Sequence, residues 1–295
     1  MTVLAGLVAP GFLSSGPVRV ALALGGIVSL VSAPVGVLTV VRRQSFAGHA
    51  LGDIGATGGA GAFLLGVSAL WGFLASSASA VGAFHVAGSR ERRSRDIATG
   101  IVLGAALGVS ALFLYLDANS TSTTGATMTV LFGSLFVVPP GTVPLVAGLG
   151  AVALVAVLVC FRPLLLAAVH PDVAAARGVR VRRVELGYLV ALAVAVALSA
   201  MTIGAVLSTA LLVGPSGAAL RVTRRPGSAV ALAAALGVVA TFAGVLLAYD
   251  SYAWPPAQHG WPASFFVVVL LFVADLAAGL LAGRGRRRSA RRRAG

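Results

Sequence analysis

Residues 18–43 read VRVALALGGIVSLVSAPVGVLTVVRR, an apolar run from Val18 to Val41 interrupted only by Arg19 and stopped by Arg42 and Arg43. A run of about 20 apolar residues crosses the roughly 30 Å hydrocarbon core of a bilayer as one helix. Runs of this kind recur to the end of the chain. Composition agrees: of 295 residues, 58% are hydrophobic and 10% charged, and the mean hydropathy is +0.99. An ordinary soluble domain carries about 25% charged residues. A soluble enzyme, a secreted disulfide scaffold and a disordered chain are thereby excluded as the main body. The expectation is an all-α polytopic membrane protein, a single membrane domain over 1–295. Little chain remains for a soluble catalytic unit.

The net charge is +14, from 22 basic and 8 acidic residues, and every basic residue is arginine. Nucleic-acid binding is one reading of such a balance. Here the arginines are not gathered on one soluble face. They form clusters between apolar runs, at Arg42–Arg43, Arg90–Arg95, Arg162–Arg183, Arg221–Arg225 and Arg284–Arg293, as cytoplasmic loops do. With all five clusters on one side, each interval between them holds an even number of crossings. The intervals 44–89, 96–161, 184–220 and 226–283 then give two helices each, and 18–41 adds a first. The total is nine spans, or eight if the tight interval 184–220 hides a re-entrant segment. The N-terminus lies outside and the C-terminus inside, and Arg19 alone falls on the outer side.

The outer connections differ in kind. Residues 117–127, DANSTSTTGAT, are polar without a cation, and residues 250–262, DSYAWPPAQHGWP, bring Tyr252, Trp254 and Trp261 to the level where aromatic rings favour the headgroups. Residues 1–16, broken by Pro10 and Gly11, read as an interfacial segment. Residues 284–295 read as an Arg-rich cytoplasmic tail against anionic lipid. The single Cys160 precludes an internal disulfide and reads as a buried, inert thiol. The 37 glycines permit close helix approach. The run GATGGAG at 55–61 lacks the strand and spacing of a phosphate loop.

Ionisable groups inside the spans are few and costly, about 2.5–3.5 kcal/mol each at the bilayer centre. His49 and Asp53 stand four residues apart, on one helical face one turn apart. Such a pair can ligate a divalent transition metal, the carboxylate supplying charge and the imidazole a nitrogen donor. It can equally be a hydrogen-bonded pair that holds a helix contact. Asp275 lies about 13 Å deep by helical rise and calls for an Arg or backbone partner. Asp117 and Asp250 sit at outer helix ends, where solvation accounts for them. His85 reads as interfacial, His259 as surface, and His170–Pro171–Asp172 as a loop start.

Four blocks then resemble a known family. Residues 42–53, RRQSFAGHALGD, are similar to a block RRM-x-L-x-GDALSH; Asp96 to Gly100 opens a helix after an Arg-rich loop. Leu131 to Ser134 is followed by His170 to Val179, similar to DPE-x-A-x-x-x-G-V. Ile203 to Pro215 is similar to VGxLLVxALLxxPA. In this order and spacing they resemble the membrane permeases of ABC-type importers for zinc, manganese or iron, the ABC-3 family, from about Val18 to Leu281. One departure is informative: the family has Asp first and His four residues later, and here His49 and Asp53 exchange those places. His170 also stands where the family often has an acidic or aromatic residue.

The resemblance implies a type II ABC importer-like permease of the bacterial plasma membrane. Two copies would form the pathway for zinc or manganese, with iron a third candidate and no permanently bound cofactor. An extracellular solute-binding protein would deliver the metal, and a separate cytoplasmic ATP-binding cassette ATPase would power transport. The chain itself has no G-x-x-x-x-G-K-[ST] motif, so it is not expected to be an enzyme. The resemblance makes His49 and Asp53 the metal pair. It makes Pro171, Asp172, Ala175 and Gly178 the ATPase-coupling loop, and Gly204 and Pro215 a helix break along the pathway. Pro171 suits a first helical turn and Gly178 a helix stop. The competing reading is a proton-coupled secondary carrier with Asp53 or Asp275 as the protonated group. A membrane scaffold without transport is a third.

Overall fold

The computed structural model describes residues 11–87, 92–120, 125–133, 135–252, 254 and 260–293. His259, Ser134 and residues 1–10 of the N-terminal segment lie outside them, and the side chains of His85, Asp96 and the 284–293 arginines are likewise not described. After a short 3-10 turn, Phe12–Ser14, come eleven helices: α1 Gly16–Val41, α2 Ser45–Leu64, α3 Ala69–Ala87, α4 Arg92–Ser120, α5 Gly125–Phe132 and α6 Thr142–Val169. There follow α7 Pro171–Ala176, α8 Val181–Ile203, α9 Ala205–Val222, α10 Pro226–Ser251 and α11 Ala263–Arg293. Nine of these are 18 residues or longer; α5 has 8 residues and α7 has 6. Arg42, at the end of α1, meets Glu185 at the start of α8, and counting alternate directions along the helices places the described Arg177–Arg183 and Arg221–Arg225 stretches at that same end.

Among the described residues, seven helices are long and apolar enough to cross a membrane: α1, α6, α8, α9, α10 and the apolar parts of α4 and α11. The apolar part of α3, Ala69–Ala83, is shorter. α2 is equally long, but His49, Asp53 and a run of glycines lower its hydropathy. It is held by protein: Leu51, Ala56 and Ala60 are fully or almost fully buried. α2 and α3 meet where Gly58 and Gly72 face each other's carbonyl oxygens, so close that a Cβ on either would collide with the other's backbone. The GATGGAG run is therefore a packing surface, as small residues are in membrane bundles.

The bundle is built around α1 and α8, with 72% and 78% of their apolar windows buried, against 17% for α4 and 22% for α6 and α11. One core joins Leu24 and Val28 of α1 to Leu198, Leu211, Val245 and Val267. A second joins Val35 and Leu38 to Leu51, Tyr188, Leu192 and Leu212. α6, α9, α10 and α11 close around these two, and α4 lies outermost against α2 and α5.

Four expectations change, while the count of two helices in 184–220 holds. The interval 184–220 holds two full helices, with no re-entrant segment. They are joined at the single residue Gly204, whose φ of 93° and ψ of 153° suit glycine alone. The short inserted helix is α5, within the connection expected to be a simple outer linker; Ala126 and Val130 bury against α2, α8 and α9. The chain breaks only at Gly204, for Pro215 sits inside a continuous α9. Asp117, expected to be solvated, is 1% exposed: it continues the inward stripe of Ser110 and Leu114 on α4. Cys160 is half-buried, near Gly187 of α8.

Candidate metal site at the α2–α9 contact

His49 and Asp53 lie on the first half of α2, Asp53 about 12 Å of helical rise above Ser45. Opposite them, Thr209 of α9 lies about 18 Å above Arg221 by the same measure. The pair therefore sits in the middle third of a roughly 30 Å slab. His49 Nε2 is 3.5 Å from Asp53 Oδ2. Its other ring nitrogen, Nδ1, is 3.2 Å from Thr209 Oγ1. The carboxylate side chain is 7% exposed and the imidazole 45%. The carboxylate is thus sunk into the bundle while the imidazole opens outward, toward the surface of this chain.

Thr209 reaches His49, and Ser208 the neighbouring Gly52, because of Gly204. Starting α9 immediately after α8 points its first turn back across α2, where Gly52 leaves room: a Cβ there would come within 3.0 Å of Ser208 Oγ. Ser208 donates to Ala205 O at 2.8 Å, and Thr57, one turn beyond Asp53, donates to Ala106 O of α4 at 2.8 Å. The joint is secured from the far side by the end of α5. Gly133, at φ 79°, crosses Gly204 so closely that a Cβ on either would strike the other segment's backbone. Two blocks far apart in sequence, around 131–133 and 203–215, thus meet at one crossing.

Among the described residues no three His, Cys, Asp or Glu side chains gather as a metal group. The His49–Asp53 pair supplies two donors, a nitrogen and a carboxylate, the chemistry that zinc and manganese accept. The Thr209 hydroxyl can accept from Nδ1–H or donate to Nδ1; in the first case Nε2 keeps its lone pair on the Asp53 side, the tautomer a metal would need. The sequence reading missed Thr209. Its signal was present only as a hydroxyl in an apolar helix, and nothing in the sequence says which helix it faces.

The remaining candidates fall elsewhere. Asp275 of α11 pairs with Arg221 of α9 at 3.2 Å, and Gly217 and Gly279 flank the pair. Pro171 and Gly178 bound α7 as start and stop. Gly178, at φ 73°, takes the left-handed position, with Gly178 N–H donating to Ala175 O and Val179 N–H to Ala174 O. Ala174 is buried against the bundle, while Asp172, Val173 and Ala175 are exposed at its Arg-rich end. Tyr252, Trp254 and Trp261 are exposed at the opposite end, the two indoles 6.5 Å apart.

The sequence profile of the ABC 3 transport family matches residues 17–276. The manganese transport system membrane protein MntC of Halalkalibacterium halodurans is 26% identical over 219 residues, 74% of each chain. The high-affinity zinc uptake system membrane protein ZnuB of Haemophilus influenzae is 27% identical over 238 residues, 80% of this chain and 90% of that one. In fold, the chain is similar to a structure of PsaBC from Streptococcus pneumoniae in complex with Fab, with a TM-score of 0.75 at 22% identity, covering 93% and 95% of the two chains. A second neighbour is an inward-facing putative metal-chelate type ABC transporter, with a TM-score of 0.66 at 16% identity, covering 88% and 85%.

Proposed function

The chain belongs to the ABC 3 transport family, and on that premise we propose that it is the multi-pass permease of an ATP-driven importer for zinc or manganese in the bacterial plasma membrane. The observation that carries the metal reading is the His49–Asp53 pair at mid-depth, faced by Thr209. Relatives named for manganese and for zinc support both cargoes. The donor set accepts either ion.

One chain offers two donors, and His49 opens away from its own bundle. A second copy related by two-fold symmetry would bring a second His49 and Asp53 to the same ion and close that open side. A transit site must also let go, so few and unstrained ligands suit it. A binding protein would load the site from the aromatic end. The ATPase would dock on the exposed side of α7, at the Arg-rich end. ATP-driven closure would then rock the helices so that access to the pair alternates between the two sides. Asp275, engaged by Arg221, is held as part of the α9–α11 contact and is not needed as a proton carrier.

The test is total metal content in a strain lacking this gene, with partner genes intact and metal scarce. It is complemented with the wild-type chain or the His49→Ala, Asp53→Ala double variant. Wild type is expected to restore zinc or manganese while the expressed variant does not. Full restoration by the variant would make the pair structural; no change in any metal would overturn the importer reading.

A further inference from the structure

A polar cluster gathers where the α1–α2 corner meets the start of α8, apart from the His49–Asp53 pair. α1 ends in a tight turn: Gln44 N–H donates to Thr39 O, and Arg43 N–H to Val40 O. Arg43 takes the left-handed position at φ 55°, which glycine usually fills. This turn aims Arg42 inward, and its side chain is only 10% exposed. Arg42 Nη2 lies 3.0 Å from Glu185 Oε1 on α8. Its guanidinium carbon lies 5.1 Å from the centre of the Tyr188 ring, one turn further along α8. Its Nε donates to Gln44 Oε1 at 3.2 Å.

The cluster continues into α1. Thr39 donates its hydroxyl proton to Val35 O at 2.8 Å, so the fully buried Tyr188 is the donor in the 2.8 Å bond to Thr39 Oγ1. One guanidinium thus fastens the α1–α2 corner to the first two turns of α8. Arginine suits the place: its planar fork serves a carboxylate and an aromatic face together, which an ammonium does not. Glu185 is the only acidic residue of α8.

The position of this cluster in the chain gives it a role. Four residues, 177–180, separate the end of α7 from the start of α8, so α7, packed on α6, is tied through this short connection to the turn of α8 that carries Glu185. On the other side, α2 begins at Ser45, and His49 follows one turn later. We propose that Arg42, Glu185 and Tyr188 are positioning residues that carry the movement of α7 to the metal pair, by making the α1–α2 corner and the start of α8 one mechanical body. This rests on reading α7 as the ATPase-facing element. They touch neither the metal nor ATP. Their effect is on the coupling between the two.

The experiment uses the complete importer, permease with its ATPase and binding protein, in liposomes, with manganese or zinc as the probe. Glu185→Gln and Arg42→Lys are compared with wild type for metal affinity by calorimetry, ATP hydrolysis, and metal moved per ATP. Both variants are expected to keep metal affinity within about twofold and to keep hydrolysing ATP, while metal moved per ATP falls about tenfold. The exchanged pair Arg42→Glu, Glu185→Arg is expected to recover part of that ratio. Tyr188→Phe, which keeps the ring and loses only the bond to Thr39, is expected to show a smaller loss of the same kind, and it serves if the charge variants do not accumulate. Unchanged coupling in the variants would overturn the inference, as would loss of metal affinity in parallel with transport. A wild-type importer that moves no metal with ATP would instead overturn the functional reading beneath it.

Discussion

His49 has two ring nitrogens with two different tasks, and a third residue separates them. Thr209 holds Nδ1 at 3.2 Å, which turns Nε2 toward Asp53. Partners of this kind change metal affinity by about 10- to 100-fold when removed. Thr209→Val, which keeps shape and loses the hydroxyl, is expected to weaken binding about tenfold, with Thr209→Ser near wild type. Calorimetry on the purified chain decides it, and equal affinity for all three would mean that the imidazole needs no orienting. Arg43 offers a different test. A side chain in the left-handed region costs about 1–2 kcal/mol, partly offset in a glycine variant by the extra freedom of its unfolded chain. Arg43→Gly is expected to gain about 0.5–1 kcal/mol, read as a higher melting temperature in detergent. A lower one would show that the Arg43 side chain contributes more than its backbone costs.

At the scale of elements, sequence and structure part at the helix joints. The arginine clusters and apolar runs carried the nine long helices, because an Arg at a helix end and twenty apolar residues between are local signals. The short helix α7 was legible for the same reason, with Pro171 and Gly178 acting on their own backbones. What was not legible was tertiary. The polar connection before α6 gave no sign that α5 turns inward, since only the packing of Ala126 and Val130 shows it. Pro215 read as a break, yet α9 passes through it. Gly204 takes the break because its φ and ψ admit no other residue and because Gly133 crosses it. Gly204→Ala is expected to cost about 3 kcal/mol or more, combining a forbidden backbone region with collision against Leu131. Unfolding of the purified variant measures it; a loss below about 1 kcal/mol would mean that the crossing can slide apart.

For the whole molecule, the arrangement predicts stoichiometry. The four-residue spacing of His49 and Asp53 already puts them on one helical face, but it says nothing of what else stands near them, so two candidate donors leave the rest of a coordination shell open. A chain whose imidazole is 45% exposed at mid-depth presents that ring either to lipid or to another copy. If two copies share one site, the purified dimer binds one manganese or zinc ion per two chains, and His49→Ala in both copies abolishes binding. Metal analysis after equilibrium dialysis gives the ratio; one ion per chain would place a complete site within each copy. In the sequence, arginine and tryptophan keep to different connections, the separation that the chemistry of the two membrane interfaces leads one to expect.

The one-residue joint at Gly204 has an evolutionary corollary. Most connections in a protein absorb gains and losses of single codons without harm. Here one codon more or fewer between Ile203 and Ala205 would rotate α9 by about 100° against α8 and carry Thr209 away from His49. Descendants of this gene can drift in residue identity along their lipid-facing surfaces and in length at other loops, but at this point the reading frame of the helix pair is inherited intact.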